Sequence, residues 1–150
     1  MRFMMRDQRG FTLTELVVAL AIIGIMATAF TVTRAMITTS QVGNAVQGVE
    51  TIAHGAIQYL MTSGKANYAG ISMAQLVNLQ LVPSGMAASS ANPWGGGYQV
   101  ASIDQDTNFE VTLTSVPASA GERMKSTLSA NTTTAYDLGA RIFRARYNKG

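Results

Sequence analysis

Residues 9–24 read RGFTLTELVVALAIIG, and the apolar run that begins here constrains the fold more than any other feature of the chain. From Leu16 to Thr33 there are 18 consecutive uncharged residues. At about 1.5 Å per residue a helix over that stretch spans roughly 27 Å, close to the hydrocarbon thickness of a bilayer. A helix apolar on all sides is not the surface helix of a soluble domain, so the run predicts membrane contact. Arg2, Arg6 and Arg9 precede it and would hold the N-terminus in the cytoplasm, sending the C-terminus outward. One residue does not fit. Glu15 sits just inside the leading end, where a carboxylate costs about 3 kcal/mol on insertion and ordinarily has a partner. The nearest cation is Arg9, six residues back and on a different helix face. The expected partner is therefore not a side chain of the same helix.

A secretory signal peptide, with Ala27-Thr28-Ala29 as a small-x-small cleavage site, accounts for the basic start and the apolar centre. A plain single-pass anchor accounts for them equally. Both leave Glu15 unexplained. A cut between Gly10 and Phe11 supplies a partner, because the new α-amino group would start the helix four residues before Glu15. That amine could pair with a carboxylate, most usefully one on a neighbouring copy.

Gly10-Phe11-Thr12-Leu13-Thr14-Glu15, with basic residues before and an apolar helix after, resembles the class III signal of type IV prepilins and type II secretion pseudopilins. The resemblance implies that a membrane prepilin peptidase cuts after Gly10 and that the new first residue, Phe11, is N-methylated. It also implies that Glu15 serves subunit docking, working with an inner-membrane assembly platform. The expected organisation is a leader over residues 1–10, a transmembrane and filament-core helix over 11–33, and a head over 34–150 outside the inner membrane.

Beyond Arg34 the pattern changes. Val42, Val46, Val49, Ala53, Ala56 and Leu60 alternate intervals of four and three, one stripe of a helix packed on something. Gly64 supplies a stop, so the helix is expected from about 11 to 63. Gly24, Gly43, Gly48 and Gly55 interrupt it, each costing about 1 kcal/mol relative to Ala. They either allow close approach of another element or leave the helix locally weak. Many pilins bend this helix at a proline; Val32 and its neighbours offer none, so the sequence does not locate a kink.

In the head, Ser72-Met73-Ala74-Gln75 resembles a capping box for a short helix to about residue 80, which Pro83 ends. Ser84 to Asn92 reads as a small-residue loop. Asn92-Pro93-Trp94-Gly95-Gly96-Gly97-Tyr98 lacks the Lys-Ser/Thr of a phosphate loop and reads as the entry to a first strand, with Trp94 as its packed anchor. It resembles the Pro-Trp-Gly element of major pseudopilins and the Gly-Gly sheet entry of conjugation-type and type IVb pilins. Residues 104–108 form a turn, short of the carboxylates a calcium loop needs. Phe109, Val111 and Leu113 alternate with polar residues as a second strand. Val116-Pro117 opens a short helix with Met124 and Leu128 on one face, and Ile142 to Tyr147 alternate as a last strand. This order resembles the C-terminal half of type IVb-like pilins. That group usually carries a cysteine roughly where Gly121 stands, bridged to another near the C-terminus; the chain has no cysteine at all. Asn131-Thr132-Thr133 matches a glycosylation acceptor, a pattern common by chance in a Thr-rich loop.

The fold expected is α+β, one long N-terminal helix against a small antiparallel sheet of three or four strands. The chemistry argues against an enzyme. There is one histidine, His54, no cysteine, and no grouped nucleophile, base and acid. No catalytic residue, metal or cofactor is expected. Of the net charge of +3, residues 1–10 hold +2, and Arg141, Arg144 and Arg146 split between two strand faces, which gives no basis for a nucleic-acid partner. The expected function is a subunit of a type IV pilus filament, its partners being copies of itself, the prepilin peptidase and the platform. It would reside in the inner membrane and then in a surface fibre. A pseudopilin forming a short periplasmic piston is the alternative within the family, and a membrane-anchored periplasmic enzyme or binding domain the alternative outside it.

Overall fold

The computed structural model describes residues 12–128 and 132–148, the side chains of 27–37 excepted. The chain divides into two compact units, Met1–Ile37 and Thr38–Gly150, and the first helix, α1 (Leu13–Ser63), contributes to both. Gly10 and Phe11, the leader over 1–10 and Asn131 lie outside the described residues.

In the second unit the elements after α1 are α2 (Met73–Asn78), a 3-10 turn (Ser84–Ala87), β1 (Tyr98–Ile103), β2 (Asn108–Leu113), α3 (Ala118–Leu128), β3 (Thr133–Asp137) and β4 (Ile142–Tyr147). The four strands form one antiparallel sheet in the order β1-β2-β4-β3. Its inner face carries Tyr98, Val100, Phe109, Val111, Leu113, Phe143 and Ala145, all buried, while Gln99, Glu110, Thr112, Arg144 and Arg146 alternate outward. Those inner residues share one core with the stripe of α1. The stripe is wider than the four-three pattern indicates. Ala45, Ile52 and Tyr59 are buried beside Val42, Val46, Val49, Ala53 and Ala56, and Leu60 is only partly buried.

Two of the helix glycines mark close approach. A Cβ on Gly48 would stand 2.5 Å from the Tyr98 hydroxyl, and one on Gly55 2.8 Å from Val82. Gly43 meets nothing within 4 Å, so close approach does not explain it. α1 ends where Gly64 turns left-handed at φ +65°. Beyond it, Lys65 Nζ donates to the Tyr59 hydroxyl at 3.0 Å and to the Ala69 carbonyl at 2.7 Å, and that hydroxyl donates to the same carbonyl at 3.0 Å.

The Ser72 hydroxyl caps α2, accepting from Gln75 N at 3.2 Å. α2 stops at Asn78, short of residue 80, because Gln80 takes a left-handed backbone at φ 57°, well before Pro83. Ser84–Ala87 form a 3-10 turn, not an irregular loop. β3 runs through what reads as Thr-rich loop: Thr133 and Ala135 are exposed and only Tyr136 is large, so the segment has little apolar alternation to betray it. Pairing to β4 makes it a strand.

Candidate assembly site

The first turn of α1 is built around a carboxylate. Glu15 Oε2 accepts from Thr12 N at 2.9 Å and from Thr12 Oγ1 at 3.0 Å, while Thr12 Oγ1 accepts from Glu15 N at 3.3 Å. Thr12-x-x-Glu15 is a capping box, in which each side chain satisfies the other's backbone N–H. It also places a negative charge at the positive end of the helix dipole. Glu15 therefore has polar partners at the start of its own helix, an amide and a hydroxyl of Thr12, where the sequence leads to the expectation of a cation from elsewhere. The signal was present in the spacing, the same Ser/Thr-x-x-Glu/Gln pattern that identified Ser72 and Gln75. Gly10 and Phe11, the other two predicted site residues, lie outside the described residues, so the geometry joins Glu15 to neither.

Along α1 beyond this cap the large apolar side chains are exposed, from 51% at Ile22 to 81% at Leu13 and 69% at Met26. Among the described residues no helix is long and apolar enough to cross a membrane. The expected span over 11–33 includes Phe11 and the side chains of 27–33, which lie outside the description.

Within the second unit, three polar arrangements stand out. The first is Asn92, buried at 4% exposure. Its Nδ2 donates to the Thr114 carbonyl at 2.7 Å and the Gly97 carbonyl at 3.4 Å, and its Oδ1 accepts from Trp94 N at 3.0 Å and Gly96 N at 2.9 Å. Asn92 anchors the entry to β1 by hydrogen bonds, and Trp94, expected as its packed anchor, is partly buried and packs against the core beside it. A polar residue beside Pro93 reads as loop from sequence, and nothing there signals that all its hydrogen bonds point inward.

The second is on the outer sheet face. Register pairs Glu110 with Arg146 and Thr112 with Arg144. Arg146 Nε lies 2.7 Å from Glu110 Oε2 and Arg144 Nε 3.6 Å from Oε1, so two of the three C-terminal arginines share one carboxylate. That pairing, with a coulombic contribution from Asp104, pushes the Arg146 guanidinium up.

The third is a cleft of about 300 Å³ between α1, the end of α3 and the start of β3. Glu50, His54, Ile57, Leu128, Thr132 and Tyr147 are among its lining residues. The Tyr147 ring stacks on Phe109 at 4.9 Å, and burial first, the Glu50 carboxylate second, push its hydroxyl up to about 12. Among the described residues no group of three or more His, Cys, Asp or Glu side chains is placed to hold a metal ion. In the turn at 104–108, Asp104 Oδ2 accepts from Asn108 Nδ2 at 3.0 Å and the Asp106 carbonyl accepts from Tyr68 N at 2.8 Å.

Comparison with known families finds two matches. A model described as the prokaryotic N-terminal methylation motif matches residues 5–31, and one described as PilS N terminal matches residues 39–142. No curated protein and no solved structure matches. Both family matches point to a structural rather than an enzymatic protein.

Proposed function

The chain belongs to the PilS N-terminal family and is a type IV pilin-like structural subunit, and from that premise we propose that it polymerises into a type IV pilus filament. The methylation signal implies processing by a prepilin peptidase and anchoring in the inner membrane before assembly. In this reading the peptidase cuts between Gly10 and Phe11, Phe11 is N-methylated, and residues 11–33 span the membrane with the head, 34–150, outside it. Polymerisation then exchanges lipid around the apolar helix for the helices of other subunits. Pairing of Glu15 with the Phe11 amine of a neighbour registers the incoming copy.

The observation that carries the proposal is the exposed apolar side of α1 from Leu13 to Met26, with every large side chain there at least 51% exposed. Contiguous apolar surface of that extent does not persist in water and marks contact with a membrane or a partner. The same surface serves both states, which is what a subunit that leaves a bilayer for a fibre requires.

The test is expression of the full chain with a prepilin peptidase and an assembly platform, followed by microscopy and N-terminal sequencing of sheared material. Surface fibres whose subunit starts at N-methylated Phe11 are expected. A mature start at Phe30 would establish a secretory signal peptide, and Met1 a plain anchor. Correctly processed subunits confined to the periplasm would establish a pseudopilus.

A further inference from the structure

The two ends of the β3–β4 hairpin carry surfaces that complement each other. At the end where β3 begins and β4 finishes lies the cleft bounded by Glu50, Ile57 and Thr132. Ala53 and Leu128, 5% and 7% exposed, give it an apolar floor, and Ile57 on its rim is 45% exposed. Glu50 borders it, exposed, and forms no ion pair among the described residues.

The opposite end of the hairpin is the turn between Asp137 and Ile142. It presents Leu138, 67% exposed and, outside α1, the only large apolar side chain so exposed among the described residues. Arg141 closes the turn. Its backbone is held left-handed at φ 55°, and its carbonyl accepts from Val116 N at 2.9 Å. Its side chain is exposed and forms no ion pair among the described residues. The length of β3, about 20 Å of extended chain from Thr132 to Leu138, separates turn and cleft.

We propose that the Leu138–Arg141 turn of one copy docks into the cleft of the next, Leu138 entering over Ala53 and Leu128 and Arg141 pairing with Glu50. The apolar knob meets an apolar floor, and an exposed cation meets an exposed carboxylate at the rim, a complementarity that selects partner and register. Knob and hole belong to different patches of one molecule, so the contact is heterologous. Repeated, it generates a ring or an open helical array rather than a two-fold dimer, and the filament reading selects the helical array. The inference rests on the filament reading and adds to it a contact between heads, independent of α1's apolar run.

The chain has no cysteine, so two introduced ones report a single contact. Filaments of the full-length double variant Ile57→Cys/Leu138→Cys, mildly oxidised, should run on a denaturing gel as a covalent ladder beyond the dimer. A disulfide forms only where Cα atoms come within about 7 Å, so the ladder requires the docked geometry. Each single variant should remain monomeric. Independently, Glu50→Arg and Arg141→Glu should each lower filament yield roughly tenfold, and the two together should restore it. Filaments in normal yield without a ladder, or unaffected by either charge reversal, overturn the docking and leave the filament reading standing. Dimers from Leu138→Cys alone overturn it too, since turns would then meet turns. Failure of the unaltered chain to form filaments overturns both.

Discussion

Tyr136 on β3 lies against Gly121 on α3 so closely that a Cβ on Gly121 would stand 2.5 Å from the ring's Cδ2, and the Tyr136 hydroxyl donates to the Val116 carbonyl at 2.8 Å. In the pilins this chain resembles, a cysteine of that helix is bridged toward the C-terminus. Here a ring packed on a glycine of the helix, and a hydrogen bond to the carbonyl two residues before that helix begins, hold the strand in place. Gly121→Ala should therefore destabilise the head by about 1–3 kcal/mol through overpacking. Tyr136→Phe should cost about 1 kcal/mol by leaving the carbonyl without its donor. Because the two residues touch, Gly121→Ala combined with Tyr136→Leu should cost less than the sum of the singles. Urea unfolding of wild type, Gly121→Ala, Tyr136→Phe, Tyr136→Leu and the double variant reads all three.

Asn92 should be the most sensitive polar position of the head. Asn92→Ala takes the donor from the Thr114 carbonyl and the acceptor from the Trp94 and Gly96 amides, and about 3 kcal/mol should be lost. Asn92→Asp is the sharper probe, since it sets a carboxyl oxygen against the Thr114 and Gly97 carbonyls that Nδ2 now serves. Those carbonyls disfavour the ionised form, so the folded-state pKa of the new carboxyl is raised above its unfolded value. Stability is then fully present below the unfolded pKa and lost as pH rises through the folded one. The variant should be closer to wild type near pH 4 than at pH 7, and an equal deficit at both would refute the geometry.

Tyr147 predicts an alkaline limit. Burial and then Glu50 raise its hydroxyl from 10.0 to about 12, and burial also raises Tyr68 and Tyr98. A phenol raised in the folded state stabilises it fully below its unfolded pKa and ceases to as pH climbs through the folded value. Stability of the head should accordingly fall between about pH 10 and pH 12. Tyr147→Phe should flatten that fall. In Glu50→Gln, phenolate absorbance should report Tyr147 ionising at lower pH than in wild type, because one of its two causes has been removed.

The helix glycines give a contrast in sign. At Gly48 a methyl group meets the Tyr98 hydroxyl, so Gly48→Ala should cost about 1–3 kcal/mol. At Gly43 it meets nothing within 4 Å, so Gly43→Ala should gain about 1 kcal/mol from helix propensity. Similar effects at both positions would mean that α1 is not seated on Tyr98.

Much of this architecture was legible. The Val42 to Ala56 stripe and the alternation in β1, β2 and β4 follow from periods that burial enforces, and Ser72 and Gly64 mark helix ends by chemistry that acts locally. What was missed is set by distant partners. β3 becomes a strand because β4 lies beside it, and Asn92 becomes an anchor because Thr114, 22 residues on, offers a carbonyl. The cleft draws its lining from α1, α3, the approach to β3 and the end of β4, so no single segment announces it. The Thr12–Glu15 box is different, a local signal carried by the Thr-x-x-Glu spacing itself, which satisfies the carboxylate with a hydroxyl and an amide rather than an opposite charge.

That box sharpens the test of Glu15. Glu15→Ala should insert and be cleaved normally, since neither step uses the carboxylate and the apolar run loses a charge costing about 3 kcal/mol. Assembly should fail or become strongly inefficient. Loss of the cap alone, about 1 kcal/mol at the end of a long helix, would offer a rival explanation. Thr12→Ala separates the two. It removes the hydroxyl that accepts from Glu15 N and donates to Glu15 Oε2, yet leaves the carboxylate in place. If Glu15 meets a neighbour's Phe11 amine, Thr12→Ala should still yield fibres, at a level between wild type and Glu15→Ala, and Thr12→Ser should be indistinguishable from wild type. Mixed with wild-type subunits, Glu15→Ala keeps its own amine and should enter fibres at a reduced level. Equal assembly defects in Thr12→Ala and Glu15→Ala, with both processed normally, would assign Glu15 to capping its own helix and remove it from the subunit contact.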